Sequence, residues 1–117
     1  MVKLESLKKS YQFKQTLKEK KVHSEFFSIF AAKNFYKPKF KEDLIVSFIM
    51  KKKIGNAVKR NKIRRKLKAI VQKLLKKKGA ISKDYTYIVF GKSKTYLQKQ
   101  SVLMPLMEKS FKTIKFK

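Results

Sequence analysis

Two strand-like segments flank one long amphipathic segment, and this order constrains the fold more than any other feature of the sequence. Positions 44–50 are apolar on both faces except at Ser47, so a strand formed there is covered on both sides. A helical apolar stripe follows in 57–78, and positions 85–90 are rich in aromatic and β-branched residues. Strand, helix and strand form a βαβ unit, which predicts an α+β or α/β sandwich.

The predicted long helix has a distinct start, stop and buried face. Asn56 can cap its N-terminus, because an Asn side chain accepts a hydrogen bond from a free N–H of the first turn. Lys76, Lys77 and Lys78 lie where positive charge suits the helix dipole, and Gly79 suits the position after the last turn. The opposite face is left for a partner. The stripe that would pack on the sheet consists of Ile63, Leu67, Ile70, Val71, Leu74 and Leu75.

The N-terminal part of the sequence predicts one short helix and one further strand. Positions 10–19 fit a helix with Ser10 as its N-cap and with Phe13 and Leu17 on its inner face. Positions 26–31 alternate in side-chain character as a strand does. This half of the chain therefore adds to the same sheet.

The remaining segments complete one domain. Positions 37–39, Lys-Pro-Lys, are predicted to connect two strands. Positions 98–114 predict a closing helix that either begins near Val102 or is kinked, because Pro105 fits only the first turn of a helix. The 117 residues contain no Ser- or Pro-rich linker and no repeat, so we expect a single domain over 1–117.

Positive charge is concentrated in the middle of the chain. The 33 Lys and Arg oppose seven Asp and Glu, a net charge of +26, while 43% hydrophobic residues argue against disorder. Positions 44–83 contain 15 of the basic residues and no acidic residue. A solvated surface normally mixes both signs, so the missing acidic residues favour a phosphate-binding face over an ordinary basic surface.

The three arginines mark one part of that face. Arg60, Arg64 and Arg65 lie within six positions of the predicted helix, and the other 30 basic residues are Lys. A guanidinium donates to phosphate in a planar fork, whereas Lys acts as a point charge. We therefore interpret 60–68 as the specific contact element and the other lysines as electrostatic steering. Arg60 projects near the apolar stripe, so a structural bond at the edge of the core is the alternative for this residue.

No arrangement of residues in the sequence predicts a protein-based active site. The seven acidic residues are scattered apart from one adjacent pair, which disfavours paired-carboxylate or metal-assisted hydrolysis. His23 lies in a lysine-rich turn, where a solvated side chain is the simplest interpretation. Cysteine is absent, which excludes disulfides and thiolate metal sites. No apolar run is long enough to cross a bilayer, so we expect a cytoplasmic protein without a membrane partner.

The segment 52–68 resembles the signature of the bacterial ribonuclease P protein subunit. It reads KKIGNAVKRNKIRRKLK. The family pattern, known as the RNR motif, is Lys-Lys-apolar-Gly-x-Ala-Val-x-Arg-Asn-(Arg or Lys)-apolar-(Lys or Arg)-Arg, and the two match in register. The chain departs from the family before the motif, where Ile45, Val46 and Ser47 replace Arg-x-Gly and Lys51 replaces the usual Ser.

The resemblance implies a fold, an activity and partners. The fold would be the αβββαβα two-layer α+β sandwich of the ribosomal protein S5 domain 2-like class, with a left-handed βαβ crossover. The function would be that of the protein subunit of ribonuclease P, the endoribonuclease that removes the 5′ leader of precursor tRNA. In this family the RNA subunit carries the active site and holds most of the Mg²⁺. The implied partners are ribonuclease P RNA and precursor tRNA, with no protein partner.

The resemblance also implies two binding surfaces and no catalytic or metal-binding residue in the protein. A cleft between the first helix and the sheet would take the single-stranded leader, with Phe13 and Phe30 in its lining. Aromatic faces near lysines suit a flexible single strand. Ordinary core packing is the alternative for both phenylalanines. The surface that would dock on the RNA subunit comprises Lys52, Lys53, Arg60, Asn61, Lys62, Arg64, Arg65 and Lys68.

Two other classes of function remain open from the residues alone. A structural RNA-binding protein of ribosomal type would share the charge and size but not the motif. An independent nuclease would need converging carboxylates, which this sequence scatters. Co-purification of ribosomal RNA, and not of ribonuclease P RNA, would indicate the structural RNA-binding protein. Cleavage by the chain without an RNA subunit would indicate the independent nuclease.

Overall fold

A mixed five-stranded sheet and three helices make up the structure, a computed structural model that describes residues 4–34, 43–77 and 79–115. Short 3-10 helices at Lys52–Ile54 and Ser93–Leu97 precede the second and third helices. The α+β class is therefore confirmed. The elements are β1 (Leu4–Glu5), α1 (Ser10–Lys18), β2 (Lys20–His23), β3 (Phe27–Lys33), β4 (Leu44–Ile49), α2 (Ala57–Leu75), β5 (Tyr85–Gly91) and α3 (Gln100–Lys115).

The strand order in the sheet is β1-β4-β5-β3-β2. β4 and β5 are parallel neighbours joined through α2, with Val46 opposite Tyr87, which confirms the predicted βαβ unit. β3 runs antiparallel to β5, with Ile29 opposite Val89, and β2 runs antiparallel to β3. β1 adds a short parallel pair at the far edge beside β4. β5 is thus the central strand of the sheet.

The two faces of the sheet are covered by different helices. Leu7, Ile45 and Ile88 form a small buried cluster on one face, and Phe13 of α1 packs against it. The predicted two-layer sandwich is corrected, because helices cover both faces of the sheet. A strand that is apolar on both sides, as β4 is, needs cover on both. The sheet lies between α1 on one side and α2 with α3 on the other. The larger core, on the side of α2 and α3, includes Phe27, Ile29, Leu44, Val46, Tyr87, Val89, Ile63, Leu67, Ile70, Val71, Leu74, Leu103, Met107 and Phe111.

Helix α2 follows the prediction at its start and along its buried face. The Asn56 Oδ1 atom accepts a hydrogen bond from the Lys59 backbone N–H at 2.9 Å, which confirms the N-cap. The helix ends at Leu75 and not at 78, because the next residues bond at the shorter i→i−3 spacing, as in the bond from the Lys77 N–H to the Leu74 carbonyl. Lys78 lies outside the described residues.

The predicted N-cap of α1 is wrong by one residue. Ser10 is the first residue of the helix, and Lys9 holds the extended N-cap conformation. The cap is supplied by Gln12, whose Oε1 accepts hydrogen bonds from the backbone N–H groups of Lys8 and Lys9 at 3.0 and 3.1 Å. A side chain inside the helix therefore satisfies two backbone donors that precede the helix, and the expected bond from a Ser10 cap to the first turn is not made.

The inner face of α1 is also corrected. Gln12 and Thr16 are the buried residues, and the Thr16 hydroxyl donates to the Gln12 carbonyl at 2.8 Å. Phe13 is half-buried and Leu17 is 39% exposed. The buried polar residues can be satisfied within the helix itself, so α1 does not need a fully apolar inner stripe.

The remaining corrections concern the sheet edges and the last helix. β1 and β2 are not predicted by the residue pattern, and His23 lies at the end of β2 and not in a turn. Helix α3 begins at Gln100 and contains Pro105, which removes one backbone donor inside the helix. The predicted connection at 37–39 lies outside the described residues. Among the described helices, none is long and apolar enough to span a membrane.

Candidate nucleic-acid interface

The motif at 52–68 divides into residues that shape the chain and residues that leave charge on the surface. Gly55 has φ of +154°, and a Cβ atom there would lie 2.9 Å from the Lys59 Cδ, so glycine permits the turn into α2. Asn56 caps the helix, and Ile63 and Leu67 are fully buried. These residues fix the direction of α2 and the side of it that faces solvent.

The charged residues of the motif lie on the exposed side. Asn61, Arg65 and Lys68 share the solvent face of α2, and Arg64 beside them is half-buried. The Arg64 Nη1 donates to the Asn61 Oδ1 at 2.7 Å, which orients the guanidinium. Within the described ranges none of the predicted docking residues forms a salt bridge with a carboxylate. The exposed set comprises Lys52 and Lys53 on the first 3-10 helix and Asn61, Lys62, Arg65 and Lys68 on α2.

Arg60 lies at the edge of the core, as its position on the helix predicts. It is half-buried, and its Nε is buried without a hydrogen-bond partner among the described atoms. The alternative role predicted for Arg60 was a structural hydrogen bond at the edge of the core. Its Nε atom does not make such a bond among the described atoms.

Lys66 differs from the other basic residues of α2. Its ammonium group donates to the backbone carbonyls of Tyr96, Gln98 and Thr95 at 2.5, 2.9 and 3.4 Å. Burial, and secondarily the positive charge of Lys62, lower the pKa of Lys66. Lys66 thus attaches the short 3-10 helix at Ser93–Leu97, called the Ser93–Leu97 turn below, to α2. Its ammonium group is used within the protein.

This arrangement predicts different effects for two lysines that are two positions apart. Lys66→Met leaves three carbonyls without their donor, and we expect it to lower the free energy of unfolding by about 1 to 3 kcal/mol. Lys68 is exposed, so Lys68→Met is the matched control and should change stability by less than about 0.5 kcal/mol. Urea unfolding of both variants measures the difference. Equal stability of the two would contradict the structural role of Lys66.

A cleft of about 470 Å³ lies on the α1 side of the sheet. Its floor comes from β3 and β5, and its walls come from α1, β2 and the segments that follow β4 and β5. Three of the lining residues are lysines, and no acidic side chain lines it in the described part of the chain. The cleft is therefore both apolar and positive. Its lining is Leu17, His23, Ser28, Phe30, Lys51, Lys53, Ile54, Phe90, Gly91, Lys92 and Ser93.

A row of three rings crosses this cleft. Phe30 meets His23 edge-to-face at 5.8 Å between ring centroids and Phe90 at 5.5 Å. The His23 Nδ1 lies 2.7 Å from the Ser28 hydroxyl, and the Lys51 ammonium lies 5.8 Å from the Phe90 ring centroid. Aromatic faces with adjacent cations form a surface on which unpaired bases can stack.

The structure separates the two phenylalanines that were predicted together. Phe30 lines the cleft, whereas Phe13 packs on the adjacent buried cluster and is not among the lining residues. His23, Phe90, Lys51 and Lys92 were not predicted as site residues, and Lys53 was predicted to dock on the RNA subunit. The replacement of a usual Ser by Lys51 was a signal in the sequence, but the position of Phe90 depends on the pairing of β3 with β5.

A basic face on α2 and an aromatic cleft that carries positive charge are typical of a nucleic-acid-binding protein. The described residues contain no group of three His, Asp or Glu side chains that could hold a metal ion. The family model for ribonuclease P matches residues 1–115. The chain belongs to the bacterial ribonuclease P protein component family, whose members are the protein component of the ribonuclease P holoenzyme and serve tRNA processing.

Related sequences and structures agree with this assignment. The chain is 32% identical to the ribonuclease P protein component of Mycoplasma capricolum over 110 residues, which is 93% of this chain and 94% of the relative. It is 34% identical to that of Mycoplasma mycoides over 71% of its length and 72% of the relative. The fold is similar to that of the RNase P protein from Thermotoga maritima, with a TM-score of 0.73, 23% identity and coverage of 94% and 97%. An RNase P protein mutant from Staphylococcus aureus gives 0.71, 25% identity and coverage of 94% and 87%.

Proposed function

We propose that this chain, acting as a single RNA-binding domain over 1–117, binds the catalytic RNA of ribonuclease P and the 5′ leader of precursor tRNA. It thereby assists Mg²⁺-dependent removal of the leader. The observation that carries this proposal is the separation of two surfaces. A carboxylate-free basic face lies on α2, and an aromatic cleft lies on the opposite side of the sheet.

The basic face supports docking on the RNA subunit. Most of its side chains are exposed, and none forms a salt bridge with a carboxylate in the described ranges. All three arginines of the chain belong to it. Such a surface gains affinity by releasing the cations condensed on an RNA backbone. The residues proposed to contact the RNA subunit are Lys52, Lys53, Arg60, Asn61, Lys62, Arg64, Arg65 and Lys68.

The cleft supports binding of the leader. A single strand exposes its bases, and each base can stack on an aromatic ring without a sequence requirement. Phe30 and Phe90 supply the rings, and Lys51 and Lys92 supply charge for the backbone phosphates, while Lys53 lies where the cleft meets the docking surface. Phe13 supports this cleft from the adjacent buried cluster. The leader would thus lie across β3 and β5, beneath α1.

We assign Mg²⁺ and bond cleavage to the RNA subunit. Mg²⁺ prefers oxygen ligands such as carboxylates, and the described part of the chain brings no three of its acidic or histidine side chains together. The protein's contribution is positional: it neutralises phosphates, so that Mg²⁺ binds the RNA at lower concentration, and it holds the leader. We also propose that the β4-α2-β5 crossover is left-handed, as the family resemblance implies.

Reconstitution tests this function. The chain, added to ribonuclease P RNA at low Mg²⁺, should raise the rate of cleavage of precursor tRNA at the 5′ end of the mature sequence. An unrelated basic protein of equal charge is the control for simple phosphate neutralisation. No stimulation beyond that control would reject the proposal. Cleavage by the chain without the RNA would instead indicate an independent nuclease.

A further inference from the structure

The turn that follows β5 packs closely on α2. Thr95 is fully buried, and its hydroxyl donates to the Phe26 carbonyl at 2.6 Å, which ties the turn to the sheet. Lys66 of α2 ties the same turn to the helix through two of its backbone carbonyls, those of Thr95 and Tyr96, and also bonds the carbonyl of Gln98 after it. The Ser93–Leu97 turn is therefore fixed from two sides, and so is the position from which Tyr96 projects.

Two ammonium groups of α2 converge on the Tyr96 ring. Lys62 Nζ lies 4.8 Å and Lys59 Nζ 5.2 Å from its centroid. Lys59 Nζ also donates to the Ser93 hydroxyl at 3.2 Å. The negative face of an aromatic ring attracts cations, so the ring holds two long side chains that would otherwise move freely.

The charge at this ring is uncompensated. Neither Lys59 nor Lys62 forms a salt bridge in the described ranges. Two like charges gathered at one ring repel each other, and an anion between them would remove that repulsion. Val58 and Leu97, which adjoin Lys59 and Tyr96 in the sequence, are 75% and 85% exposed, so the core does not use these apolar groups. A nucleic acid strand would cover both kinds of group.

We propose that Tyr96, Lys59 and Lys62 form a phosphate clamp for the backbone of the RNA subunit, in which Tyr96 is a positioning residue. The clamp adds a second element, the Ser93–Leu97 turn, to the docking surface on α2. This inference rests on the proposed function. The RNA subunit is the source of the phosphate because the clamp is built on α2, and Tyr96 packs against the core on the α2 side of the sheet.

A double-mutant cycle tests the clamp. The binding of the full-length chain to ribonuclease P RNA is measured over a series of salt concentrations. Tyr96→Leu removes the ring and should weaken binding roughly 5- to 100-fold, because two lysines must then be ordered during binding. Tyr96→Phe keeps the ring and should bind as the wild type does. In the background of Lys59→Gln with Lys62→Gln, Tyr96→Leu should cost less than threefold, about 0.6 kcal/mol.

The salt dependence separates positioning from loss of structure. Tyr96→Leu keeps both charges and should leave the slope of log affinity against log salt unchanged, whereas the double lysine variant should lower it by about 0.9, the value for one phosphate that is no longer neutralised. Lys109→Gln, an exposed lysine of α3, is the control for loss of one charge away from the clamp. Thermal unfolding of each variant shows whether it is folded at the assay temperature.

Three results would overturn the clamp. One is an equal cost of Tyr96→Leu with and without the two lysines, and another is an effect of Lys62→Gln no larger than that of Lys109→Gln. The third is normal assembly with the RNA subunit combined with weaker binding of precursor tRNA, which would move the phosphate to the substrate. If the wild-type chain does not bind ribonuclease P RNA, the proposed function fails and the clamp fails with it.

Discussion

Replacing Arg64 and Arg65 by Gln together is expected to weaken binding to ribonuclease P RNA by about 1.5 to 3 kcal/mol for each arginine, since each loses charged hydrogen bonds to phosphate. Arg65 is exposed, and Arg64 is oriented by Asn61 at 2.7 Å. The salt slope of binding should fall by about 0.9 for each phosphate that the variant no longer neutralises. Titration of labelled RNA at several salt concentrations gives both quantities.

A charge-matched control makes this result specific. Lys109 and Lys112 are exposed residues of α3, and replacing both by Gln removes the same two charges from another helix. We expect that variant to bind within about threefold of the wild type, because distant charges are largely screened at physiological salt. Equal losses in the two double variants would mean that net charge alone, and not the arginine face, determines binding.

The helix that presents these arginines was predictable because its determinants are local. The N-cap at Asn56 and the buried stripe from Ile63 to Leu74 depend on spacing within one segment. Gly55 similarly marks the turn that precedes the helix. The solvent-facing side of α2 then follows from its buried side. For this reason the exposed positions of Asn61 and Arg65 follow from the spacing of the apolar stripe and do not depend on the sheet order.

The sheet edges and the cleft were not predictable in the same way. β2 is held by pairing with β3, and only its contacts distant in sequence identify it as a strand. Ser47, the polar exception in β4, is buried, and its hydroxyl accepts a hydrogen bond from the Leu7 N–H at 2.8 Å. That bond joins positions 40 residues apart, so the sequence showed an unusual residue without showing its partner.

The residues that line the cleft were not predictable for the same reason, because contacts between distant parts of the sequence bring them together. Phe30 and Phe90 approach each other because β3 pairs with β5 in one register, in which Phe90 lies opposite Ser28. A shift of one residue would turn Phe90 to the other face of the sheet. The sequence supplied the aromatic residues, and the register selects which of them share the cleft. Phe13, which the family resemblance places in the lining, packs against the adjacent buried cluster.

Replacing Phe30 by Leu is expected to reduce the preference of the holoenzyme for precursor over mature tRNA by about 1 to 3 kcal/mol, the usual contribution of one base stacked on an aromatic ring. Leucine keeps an apolar group at the centre of the ring row but cannot stack. Assembly with the RNA subunit should be unaffected, since Phe30 lies on the α1 side of the sheet, opposite α2. Binding of precursor and mature tRNA to the reconstituted holoenzyme measures the preference.

The matched control for this variant is Tyr11→Leu, because Tyr11 is 58% exposed on α1 and does not line the cleft. It should leave the preference for precursor tRNA unchanged. Phe90→Leu should act in the same direction as Phe30→Leu, since the two rings are in contact at 5.5 Å. Their combined cost should be smaller than the total of the separate costs if one base stacks across both rings.

If Phe30→Leu and the Arg64 and Arg65 variant produced the same defect, weaker assembly with no change in tRNA preference, the two surfaces would not have separate roles. The cleft would then be part of the core and not a site for the leader.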